Sequence, residues 1–278
     1  MKTEELQKKA AELRIETLKA ISKAELPCLG STMSVMEILT ALYYGEIYGK
    51  TVVKIDQAKP GWDSQDYVVL SKSQAATVQY AILADKGFFD KSELDFIGQP
   101  NAMLTVKPNV KIPGIIVPGG SAGEGFSMAV GLAMSAKMDR KSNRVFAILG
   151  DGELQAGQIW EAAMSAAHYK LNNLVTFVDN NKMQSGGTIK AVMDIDPIQD
   201  KFEAFGWQVI QVRDGHDLDQ ILDALVRATT SNRRPVCLWC HTVSGKGVSF
   251  AEEKSYYHRS VLSEAELNVA VTNLEKLI

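Results

Sequence analysis

From Arg144 onward the chain alternates short apolar runs with amphipathic ones: RVFAILG, GQIWEAAMSAAHYK, NLVTFVDN, WQVIQV, DLDQILDALVRATT and PVCLWCHTV. Strands that alternate with helices pair in parallel, and this rhythm restricts the chain to an α/β architecture. VFAIL and LVTFV are apolar on both faces, as strands covered by helices on two sides must be. The expected fold is a doubly wound, mostly parallel sheet with helices on both faces.

Upstream, apolar periodicity predicts a helix over Thr3 to Lys23, an irregular stretch (ELPCLGST), and a second helix from about Ser34 to Tyr44 with Ser34 as its N-cap. DYVVL reads as a buried strand over Tyr67 to Leu70, followed by a helix that begins near Ser73. The segment PGGSAGEG then introduces a small-residue helix, and Gly119, Gly120, Gly123 and Gly125 allow a close backbone approach there. No linker composition or internal repeat divides the chain. One domain over residues 1–278 is expected, with a helical N-terminal arm (1–45) and a C-terminal extension (243–278).

Thirty basic side chains against thirty-three acidic ones give a formal charge of -3, which provides no chain-wide field for nucleic acid or an anionic membrane. No apolar run reaches the roughly 20 residues of a membrane span, and the first residues lack a signal-peptide core. A cytoplasmic protein is expected. Three unevenly spaced cysteines, Cys28, Cys237 and Cys240, suit a reducing compartment. Cys237-Leu238-Trp239-Cys240-His241 matches the haem-attachment pattern, but in a strand residues three apart face opposite ways, so buried core cysteines are expected. His168 reads as structural and His216, in RDGHD, as a turn or cap residue.

Two short motifs carry chemistry: Gly150-Asp151-Gly152-Glu153 directly after one apolar strand, and Asn180-Asn181 directly after the next. Alone, each is a common loop sequence. Together they place Asp151 and Asn181 at the C-terminal ends of neighbouring parallel strands, where open α/β sheets bind ligands. A carboxylate and an amide oxygen are hard ligands that, with a backbone carbonyl and diphosphate oxygens, would complete an octahedron around Mg²⁺. Gly152 leaves room for a diphosphate at the N-terminus of the following helix.

With GDGELQAGQIWEA, VDNNKMQSGG, RDGHD and SGKGVSF in view, the chain resembles the thiamine-diphosphate enzymes, and among them the N-terminal half of the transketolases, from about Arg14 to His258. The resemblance implies a thiamine-diphosphate-binding fold and a transferase that makes or breaks a C–C bond next to a carbonyl. It implies that Asp151, Asn181 and the carbonyl of Met183 hold Mg²⁺ (or Ca²⁺ or Mn²⁺), and that Gly152 and Glu153 offer backbone N–H groups to the diphosphate. It places Gly120 and Ala122 in the loop against the cofactor rings. The activating glutamate of the family belongs to the second half of the chain. A C-terminal, pyrimidine-binding partner subunit is therefore expected, with an α2β2 heterotetramer as the assembly and small carbonyl compounds as substrates.

The substrate side departs from the family. Cys28, Gln74 and Lys107 stand where transketolases carry histidine, His258 in YYHRS is the one that matches, and Ala156 replaces a glutamate of the subunit contact. These four positions, His258, Gln74, Cys28 and Lys107, are the candidate catalytic residues, and Gln74 and His258 are also candidate diphosphate contacts. Gln74 can donate a hydrogen bond but cannot act as acid or base. Cys28 reads either as a small apolar filler or as a nucleophile, and Lys107 as a solvated lysine or a contact to an anionic substrate. Lost imidazoles imply an altered donor or acceptor, or a scaffold subunit whose chemistry has decayed. An ordinary pentose-phosphate transketolase subunit is a further alternative.

Overall fold

A computed structural model describes residues 3–59, 61–231 and 233–278. Helices α1 (Thr3–Lys23), α2 (Leu29–Ser34) and α3 (Met36–Tyr44) come first, followed by a small antiparallel ribbon, β1 (Glu46–Ile47) and β2 (Lys50–Thr51). The main units are β3 (Tyr67–Leu70), α4 (Ala76–Asp85), α5 (Glu124–Met138), β4 (Val145–Gly150), α6 (Gly157–His168) and β5 (Leu174–Asn180). A second ribbon, β6 (Met183–Gln184) and β7 (Gly187–Thr188), leads to α7 (Ile189–Val192) and α8 (Ile198–Ala204). The chain continues through β8 (Gln208–Val212), α9 (Leu218–Thr229), β9 (Val236–His241), α10 (Ser255–His258) and α11 (Glu264–Glu275).

Five strands form one sheet in the order β3-β4-β5-β9-β8, and every pairing in it is parallel. The period of two sorts each strand between two cores. Val68, Leu70, Phe146, Ile148, Val175, Phe177, Ile210 and Leu238 face a cluster built with α1, α3, α4 and α9. Val69, Val145, Ala147, Leu149, Val178 and Cys237 face a second cluster with α5, α6 and α8. The doubly wound expectation holds, and Cys237 and Cys240 lie on opposite faces as free, buried thiols.

The expected N-terminal helix is present and packs as a layer of the domain, with Leu6, Leu13 and Leu18 of α1 buried in the same core as the strands. One expectation is corrected. Ser34 is no N-cap: it ends α2, Val35 precedes α3 without a side-chain cap, and the Ser34 hydroxyl turns inward to Asp179. Tertiary bonding outcompetes the local cap, which a sequence pattern cannot register.

A buried polar node ties the layers together. Arg14 Nη2 donates to both Glu37 oxygens, at 2.8 and 3.0 Å, and Arg14 Nε donates to the carbonyl of Lys246. His216 Nδ1 lies 2.8 Å from Glu37 Oε2, and its Nε2 accepts from the Val243 N–H, which places the ring proton on Nδ1. His216 therefore does more than shape its turn. Burial by itself would raise the Glu37 carboxyl, but Arg14 and His216 outweigh it and hold the group down from 4.5 to about 2. A depressed carboxyl stabilises the fold above its unfolded value and loses that contribution as pH falls through the folded one. At about 1.4 kcal/mol per pH unit, the gap is on the order of 3 kcal/mol. Melting temperature should fall steeply from about pH 4.5 toward pH 2, and Glu37→Gln should flatten that slope while lowering stability at neutral pH. Parallel acid profiles for the two proteins would show that Glu37 does not drive the transition.

Candidate active site

The C-terminal ends of β3, β4 and β5 open on one edge of the sheet, where a cleft of about 360 Å³ lies. After β3 the chain forms a tight turn, Ser71 to Gln74, and after β4 a 3₁₀ turn over Gly152–Gln155. After β5, Lys182 takes a left-handed φ of 64°, which reverses the chain between Asn181 and Met183. The three turns bring Gln74, Asp151, Gly152, Asn181 and Met183 to the cleft wall.

Asp151 is buried and accepts from two backbone donors, Gly152 N at 2.8 Å and Lys182 N at 2.6 Å. With its amide oriented to satisfy both neighbours, Asn180 donates to Asp151 Oδ2 at 3.2 Å and accepts from Trp239 Nε1 at 3.0 Å. Burial, and next the charge of Asp179, push the Asp151 carboxyl up to about 7. Its ionised form therefore lacks a sufficient countercharge. Asn181 Oδ1 accepts from Met183 N at 3.0 Å, and its Nδ2 donates to Ser34 Oγ at 3.1 Å.

A divalent metal fits this donor set. Asp151 Oδ1 retains a second lone pair after its bond from Gly152 N, the Asn181 carbonyl does likewise after its bond from Met183 N, and the local negative charge is in excess. Among the described residues no cluster of three or more His, Cys, Asp or Glu could hold a metal by itself. Remaining ligands would have to be backbone carbonyls or oxygens of a bound diphosphate.

The Glu153 side chain has a task that no sequence pattern signals. Its carboxylate accepts from Ser71 Oγ, from Gly123 N at 2.8 Å and from Gly150 N at 3.2 Å. One half-buried group thus fastens the β3 turn, the glycine cluster and the β4 turn together. Gly123 needs its missing Cβ because its φ is +90°. Gly120 and Ala122, from the same cluster, line the cleft.

Sequence reasoning also misses Lys72 and Asp179. They form an ion pair at the cleft floor, where Lys72 lines the cleft and Asp179 lies behind it, with side chains 4% and 0% exposed, and Thr242 Oγ1 donates to the other Asp179 oxygen. An aspartate inside the otherwise apolar run LVTFVD is the available signal, since a buried charge demands a partner.

His258 lines the cleft from α10, and its Nδ1 lies 3.0 Å from Ser244 Oγ. Burial, then the charge of Lys72, lower its ring to about 4, so it is neutral at physiological pH. Gln74 is exposed at the cleft wall. Two candidates are not brought there. Cys28 is buried behind Pro27 at the start of α2, and burial raises its thiol, the opposite of an activated nucleophile. Lys107 stands exposed on the loop before the glycine cluster, outside the cleft lining, and is held there by the bond from Gly119 N to the neighbouring Pro108 carbonyl at 2.7 Å. No helix among the described residues is long and apolar enough to cross a membrane.

Comparison with known proteins agrees with this geometry. Residues 6–275 match the family model described as transketolase, thiamine diphosphate binding domain. The chain is 40% identical to the 6-deoxy-6-sulfo-D-fructose transketolase subunit of Clostridium sp. (strain MSTE9), across 98% of this chain and 97% of that protein. It is 33% identical to one of the subunits of apulose-4-phosphate transketolase from Phocaeicola vulgatus, across 100% and 96% of the two. The crystal structure of transketolase from Campylobacter jejuni superposes with a TM-score of 0.90 at 26% identity, covering 99% of this chain but 43% of that longer one. The chain belongs to the transketolase family and is its thiamine-diphosphate-binding domain.

Proposed function

We infer that this chain is the diphosphate-binding subunit of a split transketolase, a transferase that moves a ketol unit between carbonyl compounds. The observation that carries the reading is the cleft in which Asp151, Gly152, Asn181 and Met183 converge at the ends of two neighbouring parallel strands. Matches end to end with relatives named as transketolase subunits support it. Thiamine diphosphate, when bound, supplies the electron sink for C–C cleavage.

The chain's own residues bind and orient. Asp151, the Asn181 carbonyl and the Met183 backbone carbonyl hold Mg²⁺, with Ca²⁺ or Mn²⁺ as substitutes of the same hard character. Gly152 and Glu153 present backbone N–H groups to the diphosphate, the Gly152 N–H turning to it from the Asp151 oxygen that it bonds here. Gly120 and Ala122 form the wall against the rings. His258, neutral and fixed by Ser244, and Gln74 offer hydrogen bonds to diphosphate or substrate oxygens. A pyrimidine-binding partner subunit completes the site, in an assembly of two chains of each kind.

The donor is a ketose with an anionic far end. Both relatives' names describe one, a sulfonated ketose and a ketose phosphate. Arg259 lines the cleft, donates only to Ser185 Oγ at 3.2 Å, and pairs with no carboxylate among the described residues.

Reconstitution tests the reading. Alone, the chain should bind thiamine diphosphate weakly and show no exchange of the cofactor's C2 proton; with its partner, exchange and ketol transfer from sulfonated or phosphorylated ketoses should appear. Full exchange by the single chain, or a complex that binds no cofactor, would overturn it. A complex that binds cofactor but neither exchanges the proton nor transfers anything from a ketose would identify a scaffold instead.

A further inference from the structure

The geometry points to Ser34 as a positioning residue that, together with the Met183 N–H on the other side of the amide, sets which end of Asn181 faces the cleft. The inference rests on the reading of Asn181 as a metal ligand. An asparagine is useful to a cation only through its oxygen; turned by half a rotation it presents NH₂ and repels the ion. Something must set that choice.

Ser34 Oγ is fully buried and has four polar neighbours. It can donate one proton and accept two. The Asp179 carboxylate lies 2.6 Å away, against 3.2 Å for the Ser31 carbonyl, so the proton goes to Asp179, the shorter and charge-assisted bond. The remaining lone pairs meet Lys72 Nζ at 3.4 Å and Asn181 Nδ2 at 3.1 Å. Lys72 can only donate, so it cannot relieve Ser34 of its proton.

With its proton committed, Ser34 can only accept from Asn181. The NH₂ of Asn181 must point toward Ser34, and Oδ1 is left on the side of Met183 N and the cleft. Lys72 and Asp179 form an ion pair whose second Asp179 oxygen is taken by Thr242, which keeps Asp179 in place as the acceptor that polarises the relay. The chain of constraint runs from Lys72 through Asp179 and Ser34 to Asn181. It links α2, the β3 turn and the end of β5.

The test reads the Mg²⁺ concentration for half-maximal thiamine-diphosphate binding, by calorimetry on the full chain with its partner. Ser34→Ala should raise it 10- to 100-fold, the range for outer partners of metal ligands, while the melting temperature without metal changes by far less than the binding does. The same substitution in an Asn181→Asp background should bring no loss, because a carboxylate has no wrong end and the serine lone pairs then face it unfavourably. Equal losses in both backgrounds would show a general packing defect and overturn the inference. Should Ser34→Ala fail to fold, Asp179→Asn interrupts the relay from its other end: weakened Mg²⁺ dependence supports it and an unchanged value overturns it. Asn181→Ala separates the two levels. If it abolishes metal dependence while Ser34→Ala does nothing, only the relay falls; if it too has no effect, the ligand assignment falls with it.

Discussion

Asp151→Ala and Asn181→Ala should each abolish Mg²⁺-dependent thiamine-diphosphate binding, with a loss of at least about 100-fold in cofactor affinity, while leaving the fold intact. Metal ions hold a diphosphate through few protein ligands, so removing one of two side-chain donors leaves a site of backbone carbonyls and water. The fold should survive because both residues sit in turns after their strands rather than within the apolar clusters. Asp151→Ala also deletes a buried carboxylate whose charge no neighbouring cation fully compensates. The metal-free variant should therefore melt no lower than the parent, even as binding disappears. Calorimetry for affinity and thermal unfolding for stability separate the two. Unchanged affinity in both variants would show that the strand-end motif does not hold the metal.

Lys72→Met should be the most destabilising single change beneath the cleft, costing about 3–5 kcal/mol. The substitution leaves the Asp179 carboxylate without a countercharge at a fully buried position, with only the hydroxyls of Ser34 and Thr242 as donors. Hydroxyl bonds stabilise a buried anion less than an ammonium does, and desolvation dominates what remains. For a chain of this length a loss of that size lowers the melting temperature by roughly 10 °C. The measurement is made without cofactor, so that any weakening of ligand binding cannot contribute. A drop of one or two degrees would show that water reaches the carboxylate and that the pair contributes little.

Much of this architecture is legible in the sequence because it rests on periodicity. The span Thr3–Lys23 and the strands Tyr67–Leu70 and Leu174–Asn180 follow from apolar spacing that no tertiary contact overrides. Asp151 and Asn181 are brought together by topology, since parallel neighbours share an edge. The polar network below them is not legible. Lys72 and Asp179 lie 107 residues apart, and Ser34 and Asn181 lie 147 apart, so no local pattern links them. Ser34 invites the N-cap reading because serine before an apolar run has that local use, and here a charged acceptor from β5 wins the hydroxyl. Cys28 and Lys107 become candidates only by likeness to a family, and neither side chain reaches the cleft lining, although Pro27 and Ser31 on either side of Cys28 do.

The strand order has a consequence for the making of the protein. β9 is the last strand of the sheet to be synthesised, yet it lies between β5 and β8. While the nascent chain still ends before residue 236, β5 and β8 have no common neighbour, and each displays a row of unsatisfied amides to solvent or to other nascent chains. At about 5–20 residues per second, the 56 residues from Asn180 to Val236 extend that exposure by several seconds. Until β9 enters between them, the sheet stays open between β5 and β8, and the parallel pairing of five strands is completed only by the last strand made.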